Sequence, residues 1–235
     1  MLNKIKEDLQ KLENPEKAKI LSRFFKTGKG EYAEGDIFLG IIVPEQRKLS
    51  KKYIDLTLND LEKLLESKVH EYRLTALFIL VHKYEKANKI TKKKIFDFYL
   101  SNTKYINNWD LIDLSSHKIL GDFLYEKNKD ILYKLAKSSS LWERRISIIS
   151  TYYFIRKNNF EDTLNISKLL LNDKEDLIQK AVGWMLREVG KKDKKILLQF
   201  ISKNYHKIPR TTLRYAIEKF SEAERLKYLK GNINL

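Results

Sequence analysis

Two tryptophans, one aspartate and one arginine carry the chemistry that this sequence is equipped to do. Trp109 and Asp113 stand four residues apart in NNWDLIDLSS. On a helix that spacing puts them on one face, with their Cβ atoms about 6 Å apart. Arg145 in LWERRISIIST and Trp184 in KAVGWMLREV lie further along the chain. Indole faces attract a cation through the ring quadrupole. A carboxylate beside a sugar stabilises the oxocarbenium-like charge that builds as a glycosidic bond breaks, and it can orient the attacking water. One carboxylate suffices when the leaving base is already cationic, as in an N-alkylated purine nucleoside, because no general acid has to protonate the departing ring. The set therefore has the parts needed to excise a cationic base. Each member also has a plain structural role open to it. A Trp on an apolar helix is usually core, an Asp in a first turn complements the helix dipole, and Arg145 is a natural ion-pair partner for Asp113.

Other chemistries find little support. The chain has no cysteine, which removes disulfides, thiolate metal sites and cysteine nucleophiles. Its four histidines, His70, His82, His117 and His206, show no HExxH or HxxxH spacing, so no metal site is expected. The Gly-rich stretch Thr27–Asp36 (TGKGEYAEGD) superficially resembles a phosphate loop but lacks GK[ST] and follows no strand. It reads as a connector between helices. Asp36 or a neighbour is expected to cap the helix that follows, with Pro44 in that helix's first turn. No apolar run approaches twenty residues, so no transmembrane helix is expected. MLNKIKEDLQ lacks the apolar region of a signal peptide, which gives a cytoplasmic expectation.

The elements that must position these residues are helices. The chain of 235 residues has only three prolines and eight glycines, and helical periodicity recurs almost throughout. LNDLEKLLESK (Leu58–Lys68) places Leu61, Leu64 and Leu65 on one face. YRLTALFILVHKY (Tyr72–Tyr84) is apolar nearly all round and reads as a buried helix; Arg145–Phe154 and Leu177–Val189 look alike. Aligned on one early position, the most apolar helices carry Arg73, Trp109, Arg145, Lys180 and Arg214 in register, about every 35 residues. Asn108 stands as a cap just before Trp109. Between successive members lies another amphipathic segment, such as TKKKIFDFYLSN or NFEDTLNISKLLL. A helix pair repeated at this period predicts an all-α fold, an α-solenoid of HEAT-like repeats forming a single domain over 1–235. Register positions of a solenoid line up along one face. The predicted row is four cations and a tryptophan, and at i+4 it is followed by Leu77, Asp113, Ile149, Trp184 and Glu218.

The formal net charge is +16, from 47 Lys+Arg against 31 Asp+Glu. Such an excess suits a polyanionic partner, nucleic acid first and an anionic membrane surface second. Because no helix combines a broad exposed apolar face with a basic one, a membrane partner is not expected. Arg47, Lys48, Lys51 and Lys52 are candidates for touching a phosphate backbone, with a solvated face as the equal alternative. Lys92–Lys94 and KYLKGNINL (Lys227–Leu235) read as solvated ends.

The segment FFKTGKGEYAEGDIFLGIIVPEQRKLSKKY (Phe24–Tyr53), followed in order by NNWDLIDLSS, LWERRISIIST and IQKAVGWMLREVGK, resembles the AlkD family of DNA alkylation repair glycosylases over roughly Leu9–Phe220. The resemblance implies a HEAT-like repeat protein that removes N3- and N7-alkylated purines from double-stranded DNA without metal or cofactor, and without flipping the base into a pocket. It implies Asp113 as the catalytic carboxylate, Trp109 and Trp184 lining the site against the lesion nucleotide, and Arg145 as the cation beside them. DNA contacts are expected from Phe24, Arg47, Arg73, Lys180, Arg187 and Arg214. Phe24 stands where the best-understood family member has a tyrosine, so the ring stays and any hydroxyl contact is lost. No obligate protein partner and a monomer are expected. The alternative from another class is a non-catalytic helical-repeat module that grips DNA, RNA or an acidic protein.

Overall fold

The computed structural model describes residues 1–231, whose contacts divide into two compact units, Met1–Ser115 and a second that begins at Ser116. Both are helical, and no strand occurs among the described residues. None of the described helices is long and apolar enough to cross a membrane. Of the basic C-terminal segment, residues 232–235 lie outside the described residues.

The first unit holds α1 (Leu2–Gln10), α2 (Pro15–Phe24), α3 (Val43–Ser50), α4 (Leu58–Leu65), α5 (His70–Lys86), α6 (Lys89–Ser101) and α7 (Trp109–Asp113). Local signals set the boundaries. Asn14 accepts the Lys17 amide ahead of Pro15, and Thr57 and Asp60 form a reciprocal capping box at α4. Helix α5 is buried on almost every side, as its apolar sequence predicts, and α1, α3, α4, α6 and α7 pack around it. Leu61, Leu64 and Leu65 are the buried stripe of α4. Pro44 sits in the first turn of α3, as expected. The expected capping role of Asp36 is corrected, because its carboxylate turns to Arg73 and His70 of α5 and Ile42 precedes the helix instead.

The connector between α2 and α3 is irregular, with one isolated bridge: the Ile37 amide donates to Lys68 O and the His70 amide to Ile37 O, both at 2.9 Å. The amides of Gly28 and Gly30, which a phosphate loop would turn toward an anion, are taken by the carboxylates of Glu31 and Glu34.

The second unit opens with a π-helical turn (His117–Gly121), followed by α8 (Asp122–Leu124), α9 (Asp130–Leu135), α10 (Leu141–Ser150), α11 (Tyr152–Arg156), α12 (Glu161–Leu170), α13 (Asp176–Lys192), α14 (Lys194–Asn204), α15 (Arg210–Ala216) and α16 (Glu222–Lys230). Its centre is α13, which packs against α10, α11, α12, α14 and α15. The α13–α15 contact is close because Gly183 faces the second helix. A Cβ there would meet Tyr215 Cβ at 2.5 Å and Thr212 O at 2.6 Å. Backbone and Cβ atoms cannot swing aside as a flexible side-chain end can. Gly183→Ala is therefore expected to destabilise the protein by about 2 kcal/mol, read as a lower urea midpoint. A midpoint unchanged within error would contradict this packing.

The register positions Arg73, Trp109, Arg145, Lys180 and Arg214 fall one each in α5, α7, α10, α13 and α15, early in α5, α7 and α13, mid-way along α10 and in the last turn of α15, so the repeat read from the sequence is present at helix level.

Candidate active site

Helix α7 is short, and its two ends are the two residues of interest. Asn108 accepts the Trp109 amide at 2.8 Å and starts the helix; Trp109 and Asp113 are half-buried, while Asp110, Leu111 and Ile112 between them are buried. Trp109 stacks on Phe25, with ring centroids 5.0 Å apart and planes at 10°. Phe24 stands edge-on to both, at 5.2 Å from Phe25 and 5.8 Å from Trp109, and is 62% exposed. Phe25 continues the stack onto Phe38 at 5.0 Å. The connector and the end of α2 thus wall Trp109 with rings, one of them open to solvent. Below the other end of α7, buried Tyr99 places its hydroxyl 2.9 Å from Ser115 Oγ. Burial, reinforced by the charge of Asp113, pushes the pKa of that phenol up, so Tyr99 stays neutral beside the carboxylate.

The predicted cationic row is not a uniform face. Arg73 is only 4% exposed and gives its guanidinium to Asp36 and Ser67 O. The expectation that it meets phosphate is corrected, since a buried, ion-paired arginine leaves no charge free for DNA. Arg47 is half-buried and lies over the Phe78 ring at 4.8 Å, so its planar group packs on α5.

In the second unit Arg145 is 5% exposed and donates from Nη1 to Leu177 O at 2.5 Å, so it braces the start of α13. Trp184 is half-buried, faces Tyr152 at 6.0 Å and donates from Nε1 to Glu188 at 3.2 Å. Tyr152 meets His117 edge-on at 5.3 Å. Lys180 pairs with Asp176 at 2.7 Å. Arg187 is held by Glu218 and Glu188. Hydrogen bonding from Lys219 and the Arg187 charge keep the Glu218 carboxyl below its usual range. Arg214 is exposed. On the two units, then, Trp109 and Asp113 share one helix with Phe24 beside them, and Arg145, Lys180, Trp184 and Arg187 gather on α10 and α13.

Sequence reading missed the polar cluster beneath Trp109. His70 Nε2 lies 2.8 Å from Asp110 Oδ2, and His70 Nδ1 lies 3.6 Å from Asp36 Oδ2, with Arg73 completing the set. The available signal was a His and an Arg three apart in an otherwise apolar helix, together with the Asp that follows Trp109. Among the described residues no group of three or more His, Cys, Asp and Glu is placed to hold a metal ion.

Comparison with known proteins agrees with this helical architecture. The model of a family described as DNA alkylation repair enzyme matches residues 5–220, and the chain belongs to that family. Its role is therefore in alkylation repair, with DNA as partner. Among solved structures, a protein from Enterococcus faecalis described as a predicted DNA alkylation repair enzyme is similar with a TM-score of 0.68 at 18% identity. The likeness covers 89% of this chain and 97% of that one. AlkD2 from Streptococcus mutans is similar with a TM-score of 0.58 at 17% identity, over 88% of this chain and 99% of that one. These likenesses are in fold, and they give the chain the helical-repeat architecture of AlkD-type proteins. No curated protein matches at a significant level.

Proposed function

We propose that the protein is a DNA glycosylase that hydrolyses the N-glycosidic bond of cationic N3- and N7-alkylated purines in duplex DNA. The observation that carries this reading is the arrangement on α7, where a half-buried carboxylate and an indole stand one turn apart and the indole is backed by Phe25 and flanked by exposed Phe24. The rings offer a cationic base flat π-faces, and Asp113 offers the sugar a negative charge.

In the reaction the C1′–N bond breaks and its electron pair goes to the base, cancelling the positive charge that alkylation put there. Asp113 stabilises the sugar cation left behind and orients a water. The water oxygen bonds to C1′, its proton leaves to solvent, and the products are the free alkylated base and an abasic sugar. The electron sink is the substrate itself, so the chemistry asks one charge of the protein and no general acid. In the second unit, exposed Arg214 and partly exposed Lys180 and Trp184 are read as meeting DNA, whereas Arg145, buried and turned to Leu177 O, and Arg187, held by two carboxylates, are read as bracing their helices. The net charge of +16 supports duplex binding that weakens steeply with salt.

The test is incubation of the purified protein with a methylated duplex, followed by chromatography of freed bases. Release of 7-methylguanine or 3-methyladenine above the spontaneous rate is expected. A protein that binds the duplex and frees no base would be the non-catalytic helical-repeat module instead.

A further inference from the structure

We propose that His70 is a positioning residue whose imidazolium clamps Asp110 of α7 and Asp36 of the connector at once, and so holds Trp109 and Asp113 in place. The inference rests on the reading of those two residues as the working site. Its groups all lie in the first unit.

The geometry is a four-charge cluster shut away from water. Two carboxylates, Asp36 and Asp110, meet two basic groups, Arg73 and His70, and all four side chains are nearly fully buried. His70 is 2% exposed. With the imidazole protonated the cluster is neutral; with it neutral, a net negative charge is left in a dry interior, which is costly. Arg73 already serves Asp36, whereas the side chain of Asp110 has His70 as its cationic contact. The other oxygen of Asp110 accepts the Leu111 amide at 2.8 Å, so the carboxylate that His70 grips is tied into the first turn of α7. A second route runs through rings. His70 stacks on Phe38 at 4.5 Å and lies against Phe25 at 5.0 Å, and Phe25 is the ring on which Trp109 stacks. One imidazole therefore meets the residue that follows Trp109 in the chain and also the ring beneath it.

The charge state follows from the neighbours. Burial pulls the His70 pKa down, but the charge and hydrogen bond of Asp110 and the hydrogen bond of Asp36 outweigh burial and the opposing Arg73, raising it to about 9. Burial likewise works against the Asp36 carboxylate, yet hydrogen bonds from His70 and Arg73 keep its pKa below the ordinary value. The charged groups facing His70 are Asp36, Asp110 and Arg73; Glu71, the next residue on α5, is turned to the amides of Leu39, Gly40 and Ile41. Because the folded-state pKa lies above the ordinary 6.5, the clamp contributes fully below about pH 6.5 and is lost as pH rises through about 9.

The test reads Trp109 directly. In a chain carrying Trp142→Phe and Trp184→Phe, Trp109 is the remaining indole, and its emission is followed from about pH 6 to about pH 10. A transition with a midpoint near pH 9 is expected, and His70→Gln should abolish it. A transition of equal size and midpoint in His70→Gln would overturn the clamp. Base release gives the functional arm. In an otherwise native chain His70→Gln is expected to lower kcat about tenfold, to leave the KM for duplex within about twofold, and to flatten the alkaline limb of the pH profile. Parent kcat at every pH would overturn the proposal. Should His70→Gln fail to fold, imidazole NMR of the native chain decides. His70 titrating together with the Trp109 indole signal supports the clamp, and His70 titrating while that signal stays still refutes it. If the native protein frees no base at all, the glycosylase reading falls, while the Trp109 titration still judges the clamp.

Discussion

Asp113→Asn should slow base release by roughly a hundredfold to a thousandfold, the usual cost of removing a charged or dipolar group aimed at charge that develops in the transition state. The exchange keeps size and shape, so α7 keeps its half-buried C-terminal turn and the flanking aromatic stack is untouched. What disappears is the negative charge beside the sugar. In the ground state the positive charge sits on the alkylated base, and it reaches the sugar beside Asp113 only as the bond breaks, so the carboxylate acts mainly on the transition state. Duplex affinity should hold within a few-fold, since the relief of repulsion with phosphate offsets the lost attraction to the cationic base. Single-turnover release of 7-methylguanine, with binding measured in parallel, separates the two effects. A drop of threefold or less would remove the carboxylate from the mechanism.

The largest structural effect is expected at Glu71, which is 1% exposed and caps no helix of its own. Its two oxygens accept three consecutive connector amides: Leu39 at 2.9 Å, Gly40 at 2.8 Å and Ile41 at 3.3 Å. The backbone there has nowhere else to turn. Gly40 has a φ of +82°, and a Cβ on it would stand 2.2 Å from Asn14 O, so the strand of connector is pressed against the start of α2. Glu71→Ala strands three buried N–H groups at once. Each unpaired buried donor costs roughly 1–3 kcal/mol, and partial relaxation leaves a total of roughly 3–5 kcal/mol. The connector also carries Phe38 and Asp36, so the support under Trp109 goes with it. Urea unfolding should show the loss, and a change below about 1 kcal/mol would mean that solvent or another group takes over the amides.

The helices were legible because local rules write them. YRLTALFILVHKY is too apolar for any place but the interior, and it is the buried α5. The Asn108 cap and the WDLID turn could be read at sight, and so could Pro44 at the head of α3. The 35-residue register followed from aligning those helices. The fate of its cations did not follow, because that is decided by partners far away in sequence. Arg73 is drawn inward by Asp36, 37 residues earlier, in a loop whose path the sequence does not specify. Arg145 is turned to a carbonyl 32 residues later. A periodic row tells which residues share a helix position, and burial then depends on how close the next element packs. His70 was missed for the same reason, since one histidine among scattered histidines carries no spacing signal, and its two carboxylates come from different segments. The pairing of Trp109 with Asp113 was readable, because the pair belongs to one turn of one helix, whereas Phe24 came forward only through the family resemblance and its exposure is set by the fold.

The central question is whether this protein breaks a C1′–N bond. The most direct measurement is a time course of base release from a duplex holding a single 7-methylguanine, with protein in excess, set against the same duplex alone and the same duplex with the Asp113→Asn variant. Free 7-methylguanine and an abasic strand are expected to appear together, well ahead of spontaneous loss, with the variant close to the uncatalysed line. Tight binding of the duplex with release no faster than in buffer would contradict it.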